Sequence, residues 1–349
     1  MDIPGSLVVN ETRTRIVGKG VDILSLTAPV APVLAWEIES FLLRIFEYGD
    51  YSFRSALSGE YSKILDCTFF IAKHKDTVIG AAGCLYARRS RPIAIVGPVA
   101  VAAEYRRTGI GTKLVESVID HLRIRGCMAA YLGVSQNNSA ARLYEAIGFK
   151  RYQGIVMRFL MCPEEQFDRD CFGTCADMRV RRATWGDFPG VQSLVSFPCR
   201  MFTVDLRRGL FSSKYIEPTR FLSVFPDMME AFARHGGFAN VLVAGREENV
   251  VAFAHLSVLA GKARRHVAEL DFYVHDNFVE QAGSLVDTTI SESNCLTVDR
   301  INCYCLDCDG IKRSIIEALG GVEVAVLPRN IVLDDRYQDI IVYQLRRDI

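Results

Sequence analysis

The sequence has no long hydrophobic run. Its longest apolar stretch, residues 93–103, carries Gly97 and Pro98 and falls well short of the roughly 20 residues a helix needs to cross a bilayer. The opening segment MDIPGSLVVNETRTR holds no apolar block of signal-peptide length. Together these absences make cytoplasmic residence the expectation, with no membrane as partner. Excess charge is also missing. The 41 Lys and Arg balance 41 Asp and Glu, so no global field gathers a polyanion, and nucleic acid is not an expected partner. The 11 cysteines do not read as a disulfide framework in a large chain without a leader. Cys162, Cys171 and Cys175 lack paired C-x-x-C knuckles, and Cys303 and Cys305 fall on one face of an apolar strand, so no metal is expected.

What is present is ample core and one dense run of signals. Half the residues are hydrophobic and 23% are charged, and 349 residues suit two domains of ordinary size better than one. Between residues 99 and 149 an apolar strand is followed by Arg106-Arg107-Thr108-Gly109-Ile110-Gly111, then a helix expected over 112–125. Gly109 and Gly111 have no Cβ, so backbone N–H groups in this turn can close on an anion at the positive end of the helix dipole. Arg106 and Arg107 add charge for the same ligand. Leu114, Val118 and Leu122 form the apolar stripe that anchors the helix to a sheet. A strand over 129–134 and a second helix follow, the helix capped by Asn137 or Asn138, carrying Ala140, Leu143 and Tyr144, and ended by Gly148.

In this order the two stretches resemble the GNAT superfamily of acyl-CoA-dependent N-acetyltransferases. The resemblance implies that Val99 and Val101 offer backbone groups to the pantetheine arm and that Arg106, Arg107, Thr108, Gly109, Ile110, Gly111 and Thr112 wrap the pyrophosphate. It places Asn137 and Ala140 along the far side of the arm. Tyr144 is placed by the sulfur, as the acid that protonates the departing thiolate. Acetyl-CoA or another acyl-CoA is the implied co-substrate. The implied acceptor is a small-molecule amine or a protein lysine, and oligomeric state is left open.

The first helical region, residues 36–65, carries Glu37, Glu39, Glu47, Asp50 and Glu60. These read either as an acidic vestibule for a cationic amine or as a solvated helix face, the more usual origin of such charge. Residues 162–177 break the periodicity at Pro163 and read as a linker. After it the same order of elements begins again, so the expected fold is α/β, two tandem GNAT-like domains, each a mixed, mostly antiparallel sheet flanked by helices. Their expected limits are 1–161 and 178–349, and the second is expected to close with a pair of strands over 322–327 and 340–345. The second copy departs where the cofactor binds, because VEQAGS stands in place of RRTGIGTK, with one glycine and no arginine; it is expected not to hold CoA. It also carries a strand with Glu269, Asp271, Tyr273 and His275 on one side, read as a remnant or repurposed substrate cleft, a polar seam against the first domain, or a face that meets solvent.

An amine attacks a thioester only when unprotonated. The strand that supplies a glutamate in many relatives reads IAIVGPVAV here, with no titratable side chain. Water, Glu47, Asp50 and Tyr86 are the candidates for the base, none of them distinguished by the sequence. The leading expectation is acetyl transfer to a primary amine. Decarboxylation of a malonyl-type thioester and non-catalytic acyl-CoA sensing stand as alternatives.

Overall fold

A computed structural model describes residues 12–16, 20–46, 53–89, 92–206, 209–293 and 296–346. The chain separates into two compact units, Met1–Lys150 with Met157–Cys162, and Arg151–Val156 with Pro163–Ile349.

In the first sheet, β1 (Thr12–Ile16), β2 (Val21–Thr27), β3 (Leu65–His74), β4 (Thr77–Ala87), β5 (Ile93–Val101) and β6 (Ala129–Gly133) lie side by side in chain order. They are antiparallel as far as β5 and parallel from β5 to β6. β8 (Val156–Leu160) lies next to β6, and β7 (Lys150–Gln153) forms the far edge. The helices of this half are α1 (Pro32–Phe46), α2 (Arg54–Ser58), α3 (Ile110–Ile124) and α4 (Ala140–Ile147). α3 forms because Ile110, Leu114, Val115, Val118, Ile119 and Leu122 recur at helical spacing and bury one face. It packs on β3, β4 and β5. Each fully buried leucine or valine contributes about 1.5–3 kcal/mol relative to exposure, which holds the helix against the sheet without help from its ends.

Two irregularities in β5 open the sheet. The β4–β5 register shifts between Ala82 and Cys84, opposite the Gly97-Pro98 step, where proline has no N–H to give the ladder. On the other side the parallel pairing with β6 runs only from Ile93↔Ala129 to Ile95↔Tyr131. Beyond Ile95 that edge of β5 is free for a ligand.

The second unit contains α5 (Glu164–Phe172), β9 (Met178–Arg182), α6 (Phe188–Ser196), a two-stranded ribbon of β10 (Val204–Asp205) and β11 (Gly209–Leu210), α7 (Val224–His235), β12 (Gly237–Ala244) and β13 (Asn249–Val258). β14 (Val267–Val274), α8 (Ala282–Glu292), β15 (Arg300–Leu306), α9 (Gly310–Ala318), β16 (Val322–Leu333) and β17 (Arg336–Arg346) complete it. Its sheet runs β16-β17-β15-β14-β13-β12-β9, with β14 and β15 parallel. That is the order of the first sheet from β2 onward. The expected α/β class, with mixed, mostly antiparallel sheets, is the class observed.

Two segments differ from the sequence reading, and for a third the structure excludes one of the readings left open. Within the segment read as a linker, residues 164–172 form α5: Pro163 sits at its N-cap, where the missing N–H costs nothing, and Phe167, Cys171 and Phe172 are buried. The final strands, expected over 322–327 and 340–345, extend into one long hairpin. Pro328 is absorbed at a register shift between Leu327 and Ile331, and Asp334 and Asp335 turn the chain with positive φ at both. The polar row of β14 is no solvent face, since Asp271, Tyr273 and His275 are all buried. The Asp271 carboxylate accepts from the Val204 N–H at 3.0 Å and pairs with the Lys312 ammonium. The Tyr273 hydroxyl donates to the Phe197 carbonyl at 2.9 Å. Asp271 and Tyr273 thus find these partners within this unit.

Candidate functional site

The free edge of β5 has a direction. The Ala102 N–H donates to the Ile79 carbonyl of β4 at 2.9 Å. Because N–H groups alternate sides along a strand, Ala100 faces β4 as well, while Val99 and Val101 turn their N–H and C=O groups to the edge that β6 has left. The Arg106 Nε donates to the Val101 carbonyl at 3.1 Å, which fits that orientation.

The turn that follows is tightly specified. The Thr108 hydroxyl donates to the Tyr105 carbonyl at 2.6 Å, and Arg107 is held at φ 60° and Gly109 at φ 85°. Gly109 is the N-cap residue of α3 and no side chain caps it, so the first-turn N–H groups are left for another acceptor. Gly111 has a second reason to be glycine. A Cβ there meets Leu143 Cδ1 at 3.1 Å and Val101 Cγ2 at 3.5 Å, across the space between β5 and α4.

These parts line one groove of about 630 Å³. Of the residues singled out in the sequence, Val99, Val101, Arg106, Arg107, Gly109, Gly111, Thr112, Ala140 and Tyr144 are in its wall. Thr108, Ile110 and Asn137 are not. Thr108 braces the turn, the Ile110 side chain is in the core, and Asn137 is exposed. Asn138 takes the place expected of its neighbour: its side-chain oxygen accepts from the Ala140 N–H at 2.9 Å while its own N–H donates to the Ser135 carbonyl, and it lines the groove. Tyr105, Ser139 and Leu143, and Ile45 and Phe46 from α1, also line it and were not anticipated. Only the heptad-like phase of α4, which puts Leu143 one turn beyond Ala140, carried a hint.

Tyr144 is a buried residue of this groove wall, edge-on to Phe149 at 5.9 Å, and desolvation pushes its phenol up to about 12. The phenol is therefore protonated at neutral pH. No imidazole or carboxylate is in the groove wall among the described residues. Of the proposed bases, Glu47 and Asp50 lie outside the described residues. Tyr86 pairs with Ala94 at the opposite end of β5, its hydroxyl is 3.2 Å from His121 Nε2, and burial raises its pKa, the wrong direction for a base. Two of the acidic residues of the first helical region are committed: Glu37 pairs with Lys73 at 2.9 Å and Glu39 with Arg54 at 2.7 Å.

The corresponding segment of the second unit is of opposite character. Residues 276–285 contain Asp276 and Glu280 and no basic residue, and Asp276 is engaged by the Arg200 N–H and guanidinium. No group of three or more potential metal ligands is found among the described residues, and none of their helices is long and apolar enough to span a membrane.

Residues 32–149 match the profile of the Acetyltransferase (GNAT) family. The chain is 31% identical over 147 residues to the camello protein of Xenopus tropicalis, covering 38% of this chain and 63% of that protein. It is 33% identical over 94 residues to N-alpha-acetyltransferase 30 of Schizosaccharomyces pombe, 26% of this chain and 63% of that one. With the ribosomal protein bS18-alanine N-acetyltransferase of Escherichia coli it shares 44% identity over 52 residues, 15% and 35% of the two chains. The chain thus spans less than two thirds of each of these relatives. Among solved structures, an N-acetyltransferase of Staphylococcus aureus Mu50 overlaps 49% of this chain and 99% of its own at a TM-score of 0.41 and 14% identity. yncA of Salmonella typhimurium, solved with acetyl-CoA, overlaps 48% and 93% at 0.40 and 17%.

Proposed function

We propose, from the acetyltransferase (GNAT) domain that residues 32–149 form, that this protein binds acyl-CoA in its first unit and transfers the acyl group, acetyl in the first instance, to a primary amine. One observation carries the reading: a single groove joins the free edge of β5, the uncapped N-terminus of α3 with Arg106 and Arg107, and the phenol of Tyr144.

Each part has a task. The pyrophosphate takes the first-turn N–H groups of α3 and the two guanidinium groups. Val99 and Val101 pair with the amides of the pantetheine arm as a further strand would. Gly111 leaves room for the arm between Val101 and Leu143. The amine attacks the thioester carbonyl, a backbone N–H on the β5 edge stabilises the developing oxyanion, and the C–S bond breaks as the Tyr144 proton passes to the leaving sulfur. An ammonium ion loses its first proton to water before attack, since no side-chain base lines the groove among the described residues. Once the C–N bond has formed, the surplus proton on nitrogen passes to the Tyr144 phenolate, directly or through water, restoring the phenol.

Incubation of the protein with acetyl-CoA and a panel of amines, with free thiol release and product mass followed together, tests this. An acylated amine formed in step with CoA is the expected product. Thiol release without an acylated acceptor, or carbon dioxide from malonyl-CoA alone, replaces this reading with hydrolysis or decarboxylation.

A further inference from the structure

His74 closes β3, in register with Val21 on one side and Thr77 on the other, and no part of it lines the groove. Its Nδ1 is nevertheless 2.8 Å from the hydroxyl of Tyr105, which does line it, and the two rings meet edge to face at 5.7 Å. Tyr105 is the residue from which the turn hangs. Its carbonyl accepts from Thr108, and Arg106 beside it is fastened to Val101. Between these ties Arg107 adopts a left-handed conformation that is uphill for a side chain with a Cβ. A turn of this kind keeps its shape only while its surroundings hold it. Thr108 and Arg106 brace it from within, and His74 is the brace from the sheet.

We propose that His74 is a positioning residue for the anion-binding turn, setting the N–H groups and guanidinium groups of residues 106–112 for the diphosphate through its hydrogen bond to Tyr105. This rests on the acyl-CoA reading of the groove. His74 touches neither acyl donor nor acceptor in this account. Its effect is confined to the part of the ligand that carries phosphate.

Calorimetric titration of the full chain with acetyl-CoA and with acetyl-pantetheine, which lacks the diphosphate, tests this in the wild type, His74→Phe, His74→Asn and Tyr105→Phe. Loss of one supporting hydrogen bond is expected to weaken acetyl-CoA about five- to tenfold in His74→Phe, with acetyl-pantetheine unchanged. Asn, whose side-chain oxygen falls near the place of Nδ1, is expected to restore most of the affinity. Adding His74→Phe to Tyr105→Phe is expected to cost little more than either change alone. Equal weakening of both ligands, or a His74→Phe protein that binds acetyl-CoA as the wild type does, overturns the proposal while leaving the acyl-CoA reading in place. A wild type that binds neither ligand overturns both.

Discussion

The Nε of Arg106 donates to the carbonyl of Val101 across 3.1 Å, so the last groove-facing residue of β5 and the first cation of the turn are tied directly to one another. Arg106→Ala removes a charge and also frees the strand end. It is expected to weaken acetyl-CoA at least tenfold, in line with loss of a charge-assisted contact of about 1.5–3 kcal/mol. Lysine restores the charge but not the planar fork, so Arg106→Lys is expected to recover only part of the affinity. Full recovery by lysine in a binding titration speaks against the Val101 tie.

The two glycines of the turn serve different ends. Gly109 has φ 85° with nothing near a built Cβ, whereas a Cβ on Gly111 points between Leu143 and Val101. Gly109→Ala is therefore expected to cost about 1 kcal/mol of stability, read as a lower denaturant midpoint. Gly111→Val narrows the groove, and its expected effect is a loss of acetyl-CoA affinity of tenfold or more with a smaller stability change. The opposite pattern would show that the roles are misassigned.

Tyr144→Phe keeps the ring against Phe149 and deletes the proton. The expected result is a fall in kcat of about 100-fold or more, with acetyl-CoA affinity within about twofold. Because the wild-type phenol is pushed up to about 12, the rate is expected to hold through pH 10, where an unshifted tyrosine would be half ionised. A rate that halves near pH 10 for several amines of different basicity contradicts the donor role.

His121 is held neutral by burial, and the adjacent Arg125 adds to the effect, giving a pKa of about 4. The unfolded chain takes up this proton near 6.5. Stability from this site is therefore complete above pH 6.5 and is lost as pH falls from 6.5 toward 4. His275, buried and stacked on Phe172, is likewise lowered to about 4 and acts in the same direction. Thermal melts across this window are expected to show a shallower fall for His121→Gln than for the wild type. Parallel curves would remove His121 from the account.

In the second unit Lys312 is fully buried against Asp271. Burial by itself pulls an ammonium down; the carboxylate, aided by neighbouring groups, outweighs it and the net shift is upward. Lys312→Met strands the carboxylate and is expected to cost about 3–5 kcal/mol in chemical denaturation. Lys312→Met with Asp271→Asn is expected to lose less, since the amide oxygen still accepts from Val204. A double variant no more stable than the single one contradicts this pairing.

The turn before α3 and the helix behind it were legible in the sequence because their parts are local. Leu114, Val118 and Leu122 announce a helix, and Arg106 to Gly111 announce what stands at its start. What was not legible depends on packing at a distance. Ile45 and Phe46 reach the groove from a helix more than fifty residues upstream of Val99. Asn138 and not Asn137 is in the groove wall, a difference of one position within a turn closed by the Asn138 N–H on the Ser135 carbonyl. Pro163 was read as a break, but it stands at the N-cap of α5, a place where a proline needs no N–H. The polar row of β14 followed from alternation, while its burial could be known only from Val204, Phe197 and Lys312.

The most direct test of the central claim is the stoichiometry of acetyl-CoA binding by calorimetry, measured for the wild type beside a variant carrying Arg106→Ala and Gly109→Val. The account predicts one site per chain in the wild type and none in the variant. A second site, or a site that survives both substitutions, would place the cofactor outside the groove between β5 and α4 and contradict the account.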